Sequence, residues 1–152
     1  MASSTYAIRQ IQAHETQPLR HRVLWPHKPD VASCTIDIDL REDAIHLGAY
    51  DAANVLVGVC SLFEMTTPKL NGAKQFRLRA MATAPEVRGS GAGKAIVLEA
   101  LRLTGGMGAD LLWCDARKVA LNFYAACGFS VIDEWYEIPI IGPHKLMYYR
   151  FR

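Results

Sequence analysis

Residues 88 to 94 read Arg-Gly-Ser-Gly-Ala-Gly-Lys, three glycines alternating with small residues and a cation at each end. Gly89, Gly91 and Gly93 free the backbone to take positive φ and to approach a ligand closely, while Arg88 and Lys94 supply charge for a polyanion. The stretch passes directly into the largely apolar run Ile96 to Leu103. A helix beginning here turns unpaired N–H groups and the positive end of its dipole toward the loop. The chemistry these residues can do together is phosphate binding; a glycine-rich strand-to-helix turn without a ligand is the plain alternative. Two familiar phosphate loops do not fit. A P-loop needs Gly five residues before Gly93 and a hydroxyl after Lys94, and the chain has Arg88 and Ala95 there. A dinucleotide fingerprint counted from Gly89 needs Gly at 94 and meets Lys94.

The elements on either side must position this loop. Gln75 to Ala82 sets Phe76, Leu78, Ala80 and Ala82 against Gln75, Arg77, Arg79 and Met81, the period of a strand. The helix after the loop places Val97, Leu98, Leu101 and Thr104 on one face, and Gly105, Gly106 and Gly108 are expected to stop it. Leu111 to Cys114 reads as a short buried parallel strand, with Asp115, Ala116 and Arg117 at its carboxyl end, where α/β sheets place ligands. Lys118 to Cys127 is a helix closed by Gly128 as a C-cap.

Upstream, Tyr6 to Gln12 alternates as a first strand, and Glu15 to Trp25 carries Leu19, Val23 and Leu24 at helical spacing until Pro26 and Pro29 end it. Pro29 to Asp43 is a loop or short helix. Ala44 to Tyr50 and Val55 to Met65 form a hairpin turned by Asp51 and Asn54, and Thr66 to Ala73 is a loop. At the far end Phe129 to Ile138 is a strand, Pro139 to Pro143 a turn and Lys145 to Phe151 a last strand. This order predicts one α/β domain over 1–152, a mixed sheet with helices on both faces.

Arg88, Gly91 and Gly93 spell Arg-x-x-Gly-x-Gly after a strand and a Pro85-Glu86 turn. That pattern resembles the acyl-CoA pyrophosphate loop of the GNAT family of N-acetyltransferases. Ala120-Leu-Asn-Phe-Tyr124, followed by Gly128-Phe129, resembles the second signature of the family, so the resemblance covers nearly the whole chain. It implies a mostly antiparallel central sheet of six to seven strands, and acetyl-CoA as co-substrate without a metal. The cofactor is then expected in a V between the strands at 75–83 and 111–115. Its pantetheine arm would pair with the backbone at Met81, Ala82 and Thr83, and its pyrophosphate would rest on N–H groups of Arg88, Gly89, Ser90, Gly91, Ala92, Gly93 and Lys94. Tyr124 matches the tyrosine that protonates the departing thiolate; the plain reading is that it packs beside Phe123 in the core. Homodimerisation through the terminal strands is a family trait that the sequence neither supports nor excludes.

Two positions depart from the family pattern. Where many members carry a glutamate base, four residues before Thr83, this chain has Arg79, which cannot serve as a base at neutral pH. Seven residues before Tyr124, often an Asn that bonds the pantetheine, stands Arg117. The task then falls to another group, to a water chain or to an amine that arrives neutral, and the candidate bases are His46, His27 and His144, with Glu64 behind them. His144, in Gly142-Pro143-His144, is the preferred catalytic candidate because a rigid turn would aim it into the cleft. Trp25 and His27 at the helix exit, His46, and Arg79 as a partner for an acidic group are expected on the acceptor side, with Trp135 and Tyr136 as walls.

Composition narrows the classes. With 51% hydrophobic and 21% charged residues the 152-residue chain can bury a real core and is not disordered. Its net charge is +2 with scattered basic residues, which disfavours nucleic acid. Cys34, Cys60, Cys114 and Cys127 lack metal-ligand spacing and read as reduced core residues of a cytoplasmic protein. No apolar run nears the ~20 residues that cross a bilayer, and no leader pattern opens the chain. The leading expectation is an acetyl-CoA-dependent N-acetyltransferase acting on a small-molecule amine. An acyl-CoA-binding sensor without turnover and a peptide or protein N-acetyltransferase are the alternatives.

Overall fold

The computed structural model describes residues 5–152. They form two compact units: one runs to Phe63 and takes in Leu78–Ala100, the other comprises Glu64–Arg77 and Leu101–Arg152.

In the first unit β1 (Ala7–Ile11) pairs antiparallel with β2 (Ile45–Tyr50), with Ile8 opposite Ala49, and β2 pairs antiparallel with β3 (Leu56–Glu64), with Ile45 opposite Leu62. Asp51 makes the hairpin turn: its Oδ1 accepts from the N–H groups of Ala53 and Val55, both at 2.9 Å, and Asn54 takes a φ of 62°. Leu47, Val59, Leu62 and Phe63 are buried with Ile96, Val97 and Ala100 of α2 (Ala92–Gly106). The helical face differs from the expected one, since Leu98 is 49% exposed and Ile96 takes the core position.

The predicted helix over 15–25 is real but composite. A three-ten turn (Ala13–Thr16) leads into α1 (Gln17–Leu19), and a π turn (Arg20–Leu24) follows. The Trp25 N–H reaches back five residues to the Arg20 carbonyl, at 2.9 Å. Trp25 precedes Pro26 and so cannot stay in the α region, which ends the helix there. The loop beyond holds one further three-ten turn, Val31–Ser33, capped by the Asp30 carboxylate.

β4 (Gln75–Thr83) begins in the second unit and continues into the first. In the second unit its first residues pair in parallel with β5 (Leu111–Arg117), Gln75 opposite Leu111 and Arg77 opposite Trp113, where the ladder ends. β5 also pairs antiparallel with β8 (Gly142–Arg150), and β6 (Ser130–Val131) and β7 (Tyr136–Ile138) both pair antiparallel with β8. The buried amide of Gln75 organises the preceding loop, donating to the carbonyls of Leu70 and Gly72 and accepting from Thr67 N–H. Leu111, Trp113 and Leu146 form the core against which Met65, Leu70, Ile132, Tyr136 and Tyr148 pack.

Three expectations need correction here. The stretch 129–138 is not one strand: alternation fails at Asp133-Glu134, Asp133 bonds Lys145, and only its two ends pair with β8. The described residues therefore hold eight strands, against the six to seven implied. The last strand starts at Gly142, after a tight turn with Ile140 at φ 72° and Gly142 at φ 112°. α2 ends at Gly106, within the expected glycine run, and at Gly105 a Cβ would lie 2.9 Å from the Phe151 ring, so glycine also serves packing there. Gly108, at φ 81°, ends the helix as the residue in the left-handed region.

The fold is thus a mixed α/β one with a large, mostly antiparallel sheet, as expected. Among the described residues no helix is long and apolar enough to cross a membrane.

Candidate active site

The glycine loop lies in the first unit. A three-ten turn over Pro85–Val87 carries the chain away from β4, and Ser90 N–H closes a further turn onto the Val87 carbonyl at 3.1 Å. Gly89 and Gly91 take φ of 78° and 95°, where a side chain would be strained, and a Cβ at either would meet nothing within 4 Å. The loop is therefore open on that side. Ala95 N–H bonds the Gly91 carbonyl at 3.0 Å, so the N–H groups of Ala92, Gly93 and Lys94 precede the first bond of α2. Arg88 and Lys94 are both exposed.

Neighbouring side chains hold the loop. Tyr6 Oη lies 2.6 Å from Ser90 Oγ, and the Ser90 hydroxyl donates in turn to the Val87 carbonyl. Arg22 bonds Glu86 in a bidentate pair at 2.7 and 3.2 Å, and that partner holds the Glu86 carboxyl below its ordinary value. Upstream, Ala80 sits in the middle of β4 at φ 53°, an unusual position for a non-glycine residue. Leu78 and Ala82 are buried while Ala80 is only half-buried, so the strict alternation read from the sequence breaks at this residue. Met81 and Thr83 are half-buried beyond it.

Of the acceptor-side candidates in this unit, His27 is exposed and Trp25 half-buried, with Lys28 Nζ 5.0 Å from its ring. Arg79 is half-buried in β4. His46 is buried, with Nδ1 2.7 Å from Ser61 Oγ and Nε2 2.9 Å from the Asp39 carbonyl. It belongs to a network around Arg20, which is fully buried. Arg20 donates to Asp39 Oδ2 at 2.7 Å and Oδ1 at 2.9 Å, to Ser61 Oγ at 2.9 Å and to the Cys34 carbonyl at 3.2 Å. Burial pushes the Asp39 carboxyl up, but Arg20, the Ile36 N–H and His46 outweigh it and hold the group below the usual aspartate range. With both ring nitrogens bonded inside the protein, His46 has the environment of a structural histidine.

The second signature lies in the second unit. Tyr124 belongs to α3 (Leu121–Ala126) and is 5% exposed. Its ring packs on Phe123 and Phe129 at centroid distances of 5.0 and 5.4 Å. Burial lifts the Cys114 thiol well above its ordinary value, and a hydrogen bond with Tyr124 pulls the other way, which places the phenol at β5. Arg117 ends β5 half-buried, and burial lowers its pKa against a smaller opposing pull from Tyr124. His144 lies inside β8, opposite Arg117, and not in the turn before the strand. It is buried, with Nδ1 2.7 Å from the Gly142 carbonyl and its ring stacked on Tyr136 at 6.2 Å.

One cluster of this unit was not legible in the sequence. Asp115 accepts from Arg77 Nη2 on Oδ2 and from the Tyr136 hydroxyl on Oδ1. The Arg77 guanidinium lies 4.8 Å over the Trp113 ring, and Trp113 Nε1 donates to the Met65 carbonyl at 2.9 Å. The pairing of Arg77 with Trp113 in the ladder sets Asp115 on the same face of the sheet, two residues beyond. Only the position of Asp115 at the carboxyl end of a parallel strand signalled it.

A glycine cradle thus opens the helix that follows β4, and a tyrosine-bearing helix follows β5. Residues 6–129 match the model of the acetyltransferase (GNAT) family. The YitI N-acetyltransferase of Bacillus subtilis strain 168, itself uncharacterized, is 33% identical over 146 residues, covering 95% of this chain and 96% of the relative. The structure of ElaA from Escherichia coli is similar at a TM-score of 0.71 and 19% identity, covering 94% of this chain and 98% of that one. An aminoglycoside 6'-N-acetyltransferase solved with coenzyme A is similar at a TM-score of 0.69 and 12% identity, covering 95% and 96%. The chain belongs to the GNAT acetyltransferase family.

Proposed function

We propose that this protein transfers the acetyl group of acetyl-CoA to the primary amine of a small molecule. The observation that carries the reading is the open cradle at the start of α2, with Gly89 and Gly91 in the left-handed region between the exposed cations Arg88 and Lys94. Backbone N–H groups from Arg88 to Lys94, Gly89, Ser90, Gly91, Ala92 and Gly93 among them, take the pyrophosphate. The backbone at Met81, Ala82 and Thr83 pairs with the pantetheine arm in strand-addition mode. That a similar acetyltransferase was solved with coenzyme A supports the choice of cofactor.

In the reaction, the amine nitrogen attacks the thioester carbonyl, and N–H groups of β4 stabilise the oxyanion. The unusual φ of Ala80 turns the backbone locally at that strand, which supports a functional position there. Tyr124 gives its proton to the departing thiolate. A phenol with an ordinary pKa of ~10 is protonated at neutral pH and is within range of a thiolate. Arg117, beside Tyr124, adds positive charge where sulfur becomes negative. Trp25, His27 and Arg79 serve the acceptor side.

Calorimetric titration with acetyl-CoA, with CoA, ADP-ribose and ATP for comparison, tests the cofactor. Gly91→Glu puts a side chain and a negative charge into the cradle. Micromolar acetyl-CoA binding that this variant loses supports the reading, and absence of binding to both CoA species sinks it. Release of CoA thiol on adding amines then separates an enzyme from a protein that only binds acyl-CoA.

A further inference from the structure

Between Gly89 and Gly91 the loop carries a single side chain, that of Ser90, and it is held from outside the loop by Tyr6. Resting on the transfer reading above, we infer that Tyr6 is a positioning residue for the acyl donor. By bonding Ser90 it fixes the cradle in its phosphate-binding shape before the cofactor arrives. Tyr6 touches neither the pyrophosphate nor the reacting atoms in this role; it acts through Ser90.

The direction of each hydrogen follows from the partners. The Ser90 hydroxyl donates to the Val87 carbonyl, which also accepts the Ser90 N–H at 3.1 Å, so both lone pairs of that carbonyl are taken. Ser90 Oγ then has no hydrogen left for Tyr6, and across 2.6 Å the phenol is the donor. With its one hydrogen spent on Ser90, Tyr6 has none to offer a phosphate oxygen. A direct ligand role is thereby excluded while the bond stands.

The loop needs such a tie. Gly89 and Gly91 sit at φ 78° and 95°, and the space where their side chains would be is open, so no packing on that side holds those angles. Glycine loses more backbone freedom on being fixed than any other residue. A loop ordered only on binding would subtract that cost from the affinity, and a loop ordered beforehand does not. Pinning Ser90, the residue between the two glycines, restrains both at once.

The anchor at the other end is stiff. Tyr6 directly precedes β1, where Ala7 and Ile8 lie opposite Tyr50 and Ala49 of β2, all within the first unit. The bond joins residues 84 apart in the chain, so it ties the loop to the sheet and not to its own flanks. Arg22 bonds Glu86 on the other side of Arg88, but both of those side chains are more than half exposed, and such a pair contributes little. The Tyr6 bond is the tie that reaches the glycines.

The test is a double-mutant cycle on acetyl-CoA binding by the full chain, read by calorimetry with Tyr6→Phe, Ser90→Ala and the two combined. Each single variant is expected to raise the Kd for acetyl-CoA about three- to tenfold, the worth of one hydrogen bond. The combined variant should lose no more than either alone, because both changes remove the same bond. With primary alkylamines as acceptors, the KM for acetyl-CoA should rise by a like factor while kcat holds. Losses that multiply in the combined variant would mean that Tyr6 reaches the cofactor by itself, and an unmoved Kd that the bond serves the fold alone. Either result overturns the inference and leaves the transfer reading intact. Urea denaturation checks the fold of each variant, and Ser90→Ala, at an exposed loop residue, tests the bond from its other end should Tyr6→Phe not fold. Unsubstituted protein that binds no acetyl-CoA is the separate failure, in which the transfer reading falls and this inference with it.

Discussion

The ring of Phe129 packs against that of Tyr124 at 5.4 Å, and this contact is the hydrophobic clasp of the turn that ends α3. Phe129 N–H bonds the Tyr124 carbonyl at 3.1 Å and Gly128 N–H the Ala125 carbonyl at 3.0 Å, the two bonds of a Schellman motif. Gly128 takes the left-handed conformation the motif requires, at φ 93°. The spacing from Tyr124 to Gly128-Phe129 is thus a mechanical requirement: the residues that fix the end of the helix also fix the phenol.

Gly128→Ala should therefore cost stability and rate together. Left-handed φ costs an L-residue about 1–2 kcal/mol, and the added Cβ would stand 3.2 Å from the Tyr149 ring. Urea denaturation should show at least that loss, and kcat should fall more than acetyl-CoA affinity because Tyr124 shifts.

Tyr124→Phe removes the hydroxyl and keeps the ring contacts. The expected result is a kcat lowered by about a hundredfold or more with acetyl-CoA affinity unchanged. A rate equal to that of the unsubstituted protein at every pH would remove Tyr124 from the chemistry and leave it as a packing residue.

Asp39→Ala should destabilise the first unit by about 3–5 kcal/mol, since it strands the fully buried Arg20 without its carboxylate. The pH dependence has a definite sign. The Asp39 carboxyl is depressed in the folded state, so its contribution is complete above the unfolded value of ~3.9 and is lost as pH falls through the lower folded value. The gap in stability between the parent and the variant should be wide at neutral pH and narrow below about pH 4.

Thiol reactivity follows burial. Burial pushes the Cys60 thiol up to about 12, and the same cause raises Cys114. Iodoacetamide at pH 8 should leave both unmodified in the native protein, whereas in urea all four cysteines should react. Mass spectrometry after tryptic digestion reads the outcome.

What could be read from residues alone was local. The glycine loop, the Asp51 hairpin and the Gly128 cap each write their backbone geometry into a few adjacent residue types, and all three stand where the sequence puts them. The residues that escaped depend on register between strands. Nothing near Arg77 in the chain points to Asp115; the parallel pairing of β4 with β5 creates their contact, and the pairing of β7 with β8 brings Tyr136 opposite His144. Ala80 escaped for a different reason, since alanine carries no composition signal for left-handed backbone. Trp25 and His27 were placed at the helix exit from Pro26 and Pro29, but the π turn that sets their angle leaves no mark on periodicity.

The Arg20 guanidinium joins the end of the helical stretch to the Cys34 carbonyl and to Asp39, so the chain from Trp25 to Ser33 is stapled at its base. None of those nine residues is buried. Such a segment can change in composition at its exposed positions with little disturbance of the core beneath it. The proposed acceptor side, with Trp25 and His27 in it, would thus be free to vary while the buried Arg20 network under it stays the same.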